Sequence, residues 1–208
     1  MHLWGATLDA EHSGTLAVED EVTTLFTLRT LGERHGASAC VCCHTFRFLE
    51  AMVTVRYFTE VDEGVRFSST EFADLIDVYL ADPDGWSGHG YTFVRSDKHA
   101  HDVVSIRLCL PKTIVQICGL PDDLSCATLG GRNMYLNAKR WLHGSAKSKQ
   151  PLASYRQYMV SHEMGHILGH EHVENPGRGH PAPIMLQQTL GIGDCIPSTS
   201  VTIFDLRR

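Results

Sequence analysis

The segment from His162 to His172 restricts the possible folds of this chain more than any other feature. Its residues follow the pattern H-E-x-x-H-x-x-G-x-x-H. Residues four apart on a helix share a face, so His162 and His166 can direct their imidazoles toward one point. Gly169 can end the helix in a left-handed turn, and the returning chain can bring His172 to the same point. The spacing therefore predicts a helix, a glycine turn and a cluster of three histidines.

Three converging imidazoles are typical of a catalytic metal site. Three protein ligands leave the fourth position of a tetrahedral zinc ion open to water. Glu163 is rotated by about 100° from its neighbour on the helix, so it can reach a bound water instead of the ion. We therefore predict one catalytic Zn²⁺ held by His162, His166 and His172, with Glu163 as the general base. In a chain with 13 histidines, the alternatives are a solvent-facing cluster or a histidine-rich tract that binds metal without chemistry. His170 is interpreted as a neighbour of the site, with a solvated side chain as its alternative.

A proline-rich segment after the histidines carries a second signal. Residues 181–188 read Pro-Ala-Pro-Ile-Met-Leu-Gln-Gln. Prolines restrict backbone angles and suit a rigid turn. Met185 lies within this segment, and a methionine after a proline-rich stretch is often ordinary core filling.

The histidine motif and this segment together resemble the metzincin zinc metallopeptidases, in which a methionine-containing turn lies beneath the zinc. In particular they resemble an uncharacterised family of metzincin-like proteins common in actinobacteria. The resemblance implies a metzincin fold, zinc ligation by His162, His166 and His172, a base at Glu163 and a Met-turn at Met185, but no substrate. It covers roughly residues 53 to 197, and the further runs that carry it are Tyr155–Ser161, His180–Thr189, Val55–Tyr57, Ala81–Trp86 and Leu136–Trp141.

Two positions depart from the resembling proteins. A cysteine usually stands there where this chain has Asn175, which removes a partner for Cys195. Some metzincins also have a tyrosine two residues after the Met-turn methionine, and this chain has Gln187 instead. We expect Gln187 either to donate a hydrogen bond in the site or to have a structural role.

The seven cysteines leave the redox state open, since an odd number cannot pair completely. Cys118 and Cys126 flank a short turn and form the best candidate disulfide. The cluster Cys40–His44 fits zinc-site spacings poorly, so ordinary thiols are favoured there. An alternative is kept in which a thiolate from this cluster occupies the fourth position of the zinc ion.

Length and composition indicate one domain with an extension. With 208 residues and 43% hydrophobic side chains, we expect an uncertain N-terminal extension at 1–50 and a zinc peptidase domain at 51–208. The net charge of −6 gives no nucleic-acid footprint, and no apolar run reaches the length of a membrane span. The N-terminus lacks the layout of a secretory signal, whereas the resemblance favours export, so the compartment stays open. We expect a monomer.

Alternating and helical patterns predict an α+β fold: a mixed twisted sheet, a backing helix, the active-site helix and a small irregular C-terminal lobe. Ser68 and Glu71 form a capping box at the start of the backing helix. We expect the edge near residues 112–126 to pair with an extended peptide substrate. The strands are expected from Val53, at Tyr91–Arg95, Val103–Leu110, 112–118 and Asn133–Lys139, and the zinc helix at roughly Ala153–Leu168.

These features favour a zinc-dependent endopeptidase. Glu163 would take a proton from a zinc-activated water and deliver it to the leaving amine. Two alternatives are kept: a zinc-stabilised module that binds a peptide or protein without turnover, and a zinc hydrolase of a non-peptide amide. The intact Glu163 argues against the binding module.

Overall fold

A mixed five-stranded sheet forms the centre of the structure, a computed structural model that describes residues 52–121 and 123–207. Its order is β2-β1-β3-β5-β4. All neighbouring pairs are parallel except β4 and β5, which run antiparallel. The mixed sheet with its helices agrees with the α+β class. The strands are β1 Val53–Val61, β2 Tyr91–Arg95, β3 Val104–Cys109, β4 Cys126–Ala127 and β5 Asn133–Asn137.

Within the described residues, four α-helices accompany the sheet: α1 Ser69–Leu80, α2 Pro111–Cys118, α3 Ala138–His143 and α4 Leu152–Ile167. Helix α1 begins as predicted, because the Ser68 hydroxyl accepts a hydrogen bond from the Glu71 amide at 3.2 Å. Phe72 and Ile76 lie four residues apart on its buried face. The ring of Phe72 packs edge-on against that of Trp141, with centroids 5.0 Å apart. This contact joins α1 to the core beneath the sheet.

Helix α4 passes through the core and is buried along most of its length. Val160 and Met164 are fully buried and lie on the opposite face of the helix from His162 and His166. The indole Nε1 of Trp86 donates to the carbonyl oxygen of Ser161 at 2.8 Å. A helix enclosed on nearly all sides can hold polar side chains in a fixed orientation, because close-packed surroundings restrict their rotamers.

The chain after α4 forms an irregular lobe, as predicted. Within residues 168–207 the structure contains turns and one isolated bridge between Pro181 and Ile196. Gln188 is fully buried and its amide donates to the carbonyl oxygen of Pro183 at 2.9 Å. A small apolar cluster completes the lobe and consists of Ala182, Leu186, Ile192 and Cys195.

The prediction of an edge strand at residues 112–118 is wrong, because this segment is helix α2. Pro111 suits the first helical position, where no amide hydrogen is needed. Asp62, at the end of β1, accepts hydrogen bonds from the amide of Leu110 and the hydroxyl of Thr113. Gly119 ends the helix with a φ of +64°. The strand at this edge of the sheet is the two-residue β4 instead, and β2 forms the opposite edge.

The predicted N-terminal extension and the Cys40–His44 cluster lie outside the described residues. Among the described helices, none combines the length and apolar character needed to cross a membrane.

Candidate metal centre and cleft

Helix α4 and the turn after it bring three predicted ligands together. One ligand nitrogen from each of His162, His166 and His172 lies within 4.8 Å of the others. His162 is buried, His166 half-buried and His172 exposed. The cluster therefore spans from the protein interior to the surface, with one side open to solvent.

Backbone carbonyls fix the orientation of the two helical imidazoles. Nδ1 of His162 lies 2.7 Å from the oxygen of Ile184, and Nδ1 of His166 lies 2.8 Å from the oxygen of His170. Because a carbonyl can only accept, each Nδ1 carries the proton and each Nε2 keeps its lone pair. This arrangement is the one that metal-binding histidines usually have.

A glycine turn returns the chain to the helix. Gly169 has a φ of +90°, which favours glycine, and the amide of His170 donates to the Gly165 oxygen at 2.9 Å. The turn brings Nε2 of His172 to within 3.1 Å of Nε2 of His166. Two imidazole lone pairs this close repel each other unless a proton or a cation lies between them. The predicted helix, turn and third histidine are all present.

Burial keeps these imidazoles neutral. It lowers the pKa of His162 from 6.5 to about 3, and the neighbouring histidines lower it further. Burial is also the main cause that lowers the pKa values of His166 and His172. A neutral imidazole is the form that binds a metal.

Glu163 adds a buried carboxyl group at the same place. It is 5% exposed, and burial raises its pKa from 4.5 to about 8. Its Oε2 atom is buried without a hydrogen-bond partner among the described residues. Buried polar atoms without partners are rare and often mark catalytic groups or a missing water or ion. Three neutral imidazoles beside this carboxyl suit zinc with a water in its fourth position.

The predicted Met-turn lies beneath α4. Met185 is fully buried, and its carbonyl oxygen accepts from the amide of Val173 at 3.1 Å. Its side chain packs against Gly165, between the two helical ligands. Met185 thus forms part of the floor of the cluster.

The sequence did not identify Asp205, which supports this floor. It is 1% exposed, and its Oδ1 accepts from the amide of Met185 at 2.7 Å. Its Oδ2 accepts from the amide and the hydroxyl of Thr202, both at 2.7 Å. The spacing Thr-x-x-Asp is a usable signal, because it matches the pattern of a capping box.

His170 packs beside the histidine cluster. Its ring stacks on Trp86 with centroids 4.4 Å apart, and its Nδ1 lies 3.0 Å from the backbone oxygen of Asp205. Its own carbonyl oxygen is the acceptor for His166.

A cleft of about 520 Å³ opens beside the histidines. Both residues of β4 line it, and β4 is the last strand of the sheet. Cys118 and Cys126, the pair favoured by the sequence, form a disulfide that ties β4 to the end of α2. Gln187 is exposed and also faces the cleft. The apolar part of the lining is Leu120, Leu124, Cys126, Ala127, Leu129, Met159 and Leu190.

Asn175 lies against Cys195, the residue whose partner it was expected to replace. The sulfur of Cys195 is 3.0 Å from Oδ1 of Asn175. The amide group of Asn175 also donates to the oxygen of Ile192 at 2.8 Å.

Comparison with known proteins identifies a family whose function is unknown. A family profile matches residues 36–198, and its description is a protein of unknown function. The matched region contains the three histidines, Glu163 and Met185, and it ends before Asp205. No curated protein matches the chain.

Proposed function

The chain belongs to DUF3152, a family of proteins of unknown function, and we propose that it is a zinc-dependent endopeptidase with Glu163 as its general base. The observation that carries the proposal is the buried Oε2 of Glu163, which lacks a hydrogen-bond partner in the described structure beside three converging imidazoles. A structural zinc site needs no such carboxyl group, because its protein ligands fill all four positions.

The proposed relationship to the metzincins rests on three features in combination. The motif H-E-x-x-H-x-x-G-x-x-H spans a helix and a glycine turn. Met185 is buried beneath that helix. The sheet ends in an antiparallel strand at the cleft. Together they support a metzincin-like fold more strongly than the histidine motif alone does.

In the proposed mechanism, His162, His166 and His172 would hold the zinc ion through their Nε2 atoms. Bound zinc supplies a Lewis acid that lowers the pKa of water toward about 7 and polarises a carbonyl group. Oε2 of Glu163 accepts a proton from the attacking water and delivers it to the leaving amine.

The cleft supports a peptide substrate with apolar side chains. Its walls carry several leucines, and among the described residues the charged side chains that line it are Glu163 and Glu171. We infer that the cleft favours apolar over acidic side chains, because leucines line it and, among the described residues, no lysine or arginine does. An extended substrate can pair with β4 by strand addition, since β4 ends the sheet.

The test compares wild type with Glu163→Gln and Glu163→Ala. Each purified protein is loaded with zinc, its zinc content is measured by elemental analysis, and it is incubated with a denatured proteome. We expect new peptide termini with the wild type alone, although all three proteins hold one zinc ion. Glutamine keeps the size of the side chain but cannot accept the proton, so it separates chemistry from packing.

Wild-type cleavage that persists in both variants would rule out the role of Glu163. No cleavage by the wild type, with one zinc per chain, would favour the peptide-binding module instead. Absence of bound zinc in the folded wild type would overturn the metal assignment itself.

A further inference from the structure

The peptide group between Ile184 and Met185 connects His162 to a buried carboxylate. Its carbonyl oxygen lies 2.7 Å from Nδ1 of His162, and its amide donates to Oδ1 of Asp205 at 2.7 Å. The C=O and N–H of one trans peptide unit point in opposite directions. The histidine and the carboxylate therefore contact opposite sides of the same planar group.

We propose that Asp205 is a positioning residue for the zinc site, and that it acts on His162 through the Ile184–Met185 peptide group. The inference rests on the zinc site of the proposed function, but not on peptide hydrolysis. In many metalloproteins a carboxylate binds the ligand histidine directly and raises its basicity. In this chain the Ile184–Met185 peptide group lies between the carboxylate of Asp205 and the imidazole of His162.

Burial makes this connection effective. Asp205 is 1% exposed, and Ile184 and Met185 are fully buried. A hydrogen bond to an ionised carboxylate is about twice as strong as a neutral one, and a low dielectric strengthens it further. Such a bond polarises the peptide, so that its carbonyl becomes a better acceptor for the Nδ1–H of His162. The Nε2 lone pair of His162 consequently becomes a stronger metal ligand.

Asp205 also supports the second helical ligand, through its backbone. Its carbonyl oxygen lies 3.0 Å from Nδ1 of His170, and the carbonyl oxygen of His170 lies 2.8 Å from Nδ1 of His166. Stacking on Trp86 holds the His170 ring in place. One residue thus contacts the supports of both helical ligands from outside the cluster.

The two oxygens of Asp205 have separable contacts, which provides a control. Oδ1 contacts the peptide, whereas Oδ2 holds the local turn through the amide and hydroxyl of Thr202. Thr202→Val removes the hydroxyl bond and leaves the contact with Met185. Asp205→Asn keeps the size of the side chain and removes the charge that polarises the peptide.

The experiment measures zinc affinity by competition with a chelator, and the visible absorption spectrum of the cobalt(II)-substituted protein. For Asp205→Asn we expect zinc affinity to fall about 10- to 100-fold and the cobalt spectrum to change. For Thr202→Val we expect a lower melting temperature with both metal readouts unchanged. Wild-type affinity and spectrum in Asp205→Asn, or an equal loss in Thr202→Val, would overturn the proposal.

A measurement on the wild type covers the case in which Asp205→Asn does not fold. NMR of the labelled protein should show that zinc shifts the carboxyl carbon of Asp205 and the amide of Met185, but not the carboxyl carbon of exposed Asp97. An Asp205 signal that zinc leaves unmoved would contradict the connection. Neither experiment uses hydrolysis, so a protein that binds zinc and cleaves nothing would contradict only the peptidase proposal.

Discussion

Gly165 lies so close to Met185 that no side chain fits between them. A Cβ atom at Gly165 would lie 3.2 Å from Cε of Met185, nearer still to its Sδ, and 2.9 Å from Cζ2 of Trp86. Glycine within a helix costs about 1 kcal/mol relative to alanine. Glycine is nevertheless present at position 165 because Met185 approaches the helix closely there, between His162 and His166.

Gly165→Ala should therefore destabilise the protein, although alanine is the better helix former. The added methyl group must displace Met185 or Trp86, and overpacking of this kind costs about 1 to 3 kcal/mol. Urea unfolding of the metal-free protein measures the change in the free energy of unfolding.

The control is the same substitution in a Met185→Ala background. Removing the thioether side chain relieves the closest clash, so Gly165→Ala should cost less there than in the wild type. Equal costs in both backgrounds would show that the Met-turn does not set the requirement for glycine.

The stability of the metal-free protein should fall as pH rises from about 6.5 to about 8. Burial raises the pKa of Glu163 to about 8, so the folded state keeps a proton that the unfolded state has lost above 4.5. This contribution is fully present below pH 4.5 and is lost as pH rises through 8. Burial lowers the pKa of His162 to about 3, so its contribution is fully present above 6.5 and is lost as pH falls. Between pH 4.5 and 6.5 these two contributions to stability change in opposite directions as pH rises. Above pH 6.5, of the two, the contribution of Glu163 alone still changes, and it decreases.

Chemical unfolding in chelator at several pH values tests this dependence. Glu163→Gln has no carboxyl group to titrate, so its stability should not show the decline between pH 6.5 and 8. A decline of the same size in both proteins would assign it to other groups.

The sequence predicted the residues of the histidine cluster because they depend on local spacing. Positions four apart on one helix and a glycine turn are enough to bring His162, His166 and His172 together. The start of α1 could also be predicted from local sequence, since Ser68 caps the helix that directly follows it. Each of these features is determined by residues within about one or two turns of each other.

Contacts between residues that are far apart in the sequence could not be predicted in this way. Val115 and Ile117 are β-branched and favoured a strand for 112–118. The start of this helix is instead held by Asp62, which directly follows strand β1. The support of Met185 by Asp205 has the same character, because their hydrogen bond joins residues 20 positions apart. No periodic pattern predicts a partner at that distance.

Asn175→Cys should form a disulfide with Cys195. The two side chains already meet at 3.0 Å, and the residues are 20 apart in sequence. A cross-link over a loop of this length stabilises by about 3 kcal/mol through the unfolded state. Each lost hydrogen bond of Asn175 reduces this gain in stability by roughly 1 kcal/mol. Thermal unfolding with and without reductant measures the net gain.

Asn175→Ala supplies the reference, because it loses the same hydrogen bonds without adding a thiol. The cysteine variant should exceed it in melting temperature under oxidising conditions alone, and non-reduced peptide mapping should show the new link. An Asn175→Cys protein in which both thiols stay free would mean that the backbone there cannot adopt disulfide geometry.

The distance in sequence between the ligands and Asp205 has a consequence for biosynthesis. Translation proceeds from the N-terminus, so His162, His166 and His172 leave the ribosome before Asp205 does. A nascent chain can thus present three histidines and Glu163 to zinc while the carboxylate that supports Ile184 and Met185 is still absent. On the proposed role of Asp205, full metal affinity is acquired only when the chain after the three histidines has folded.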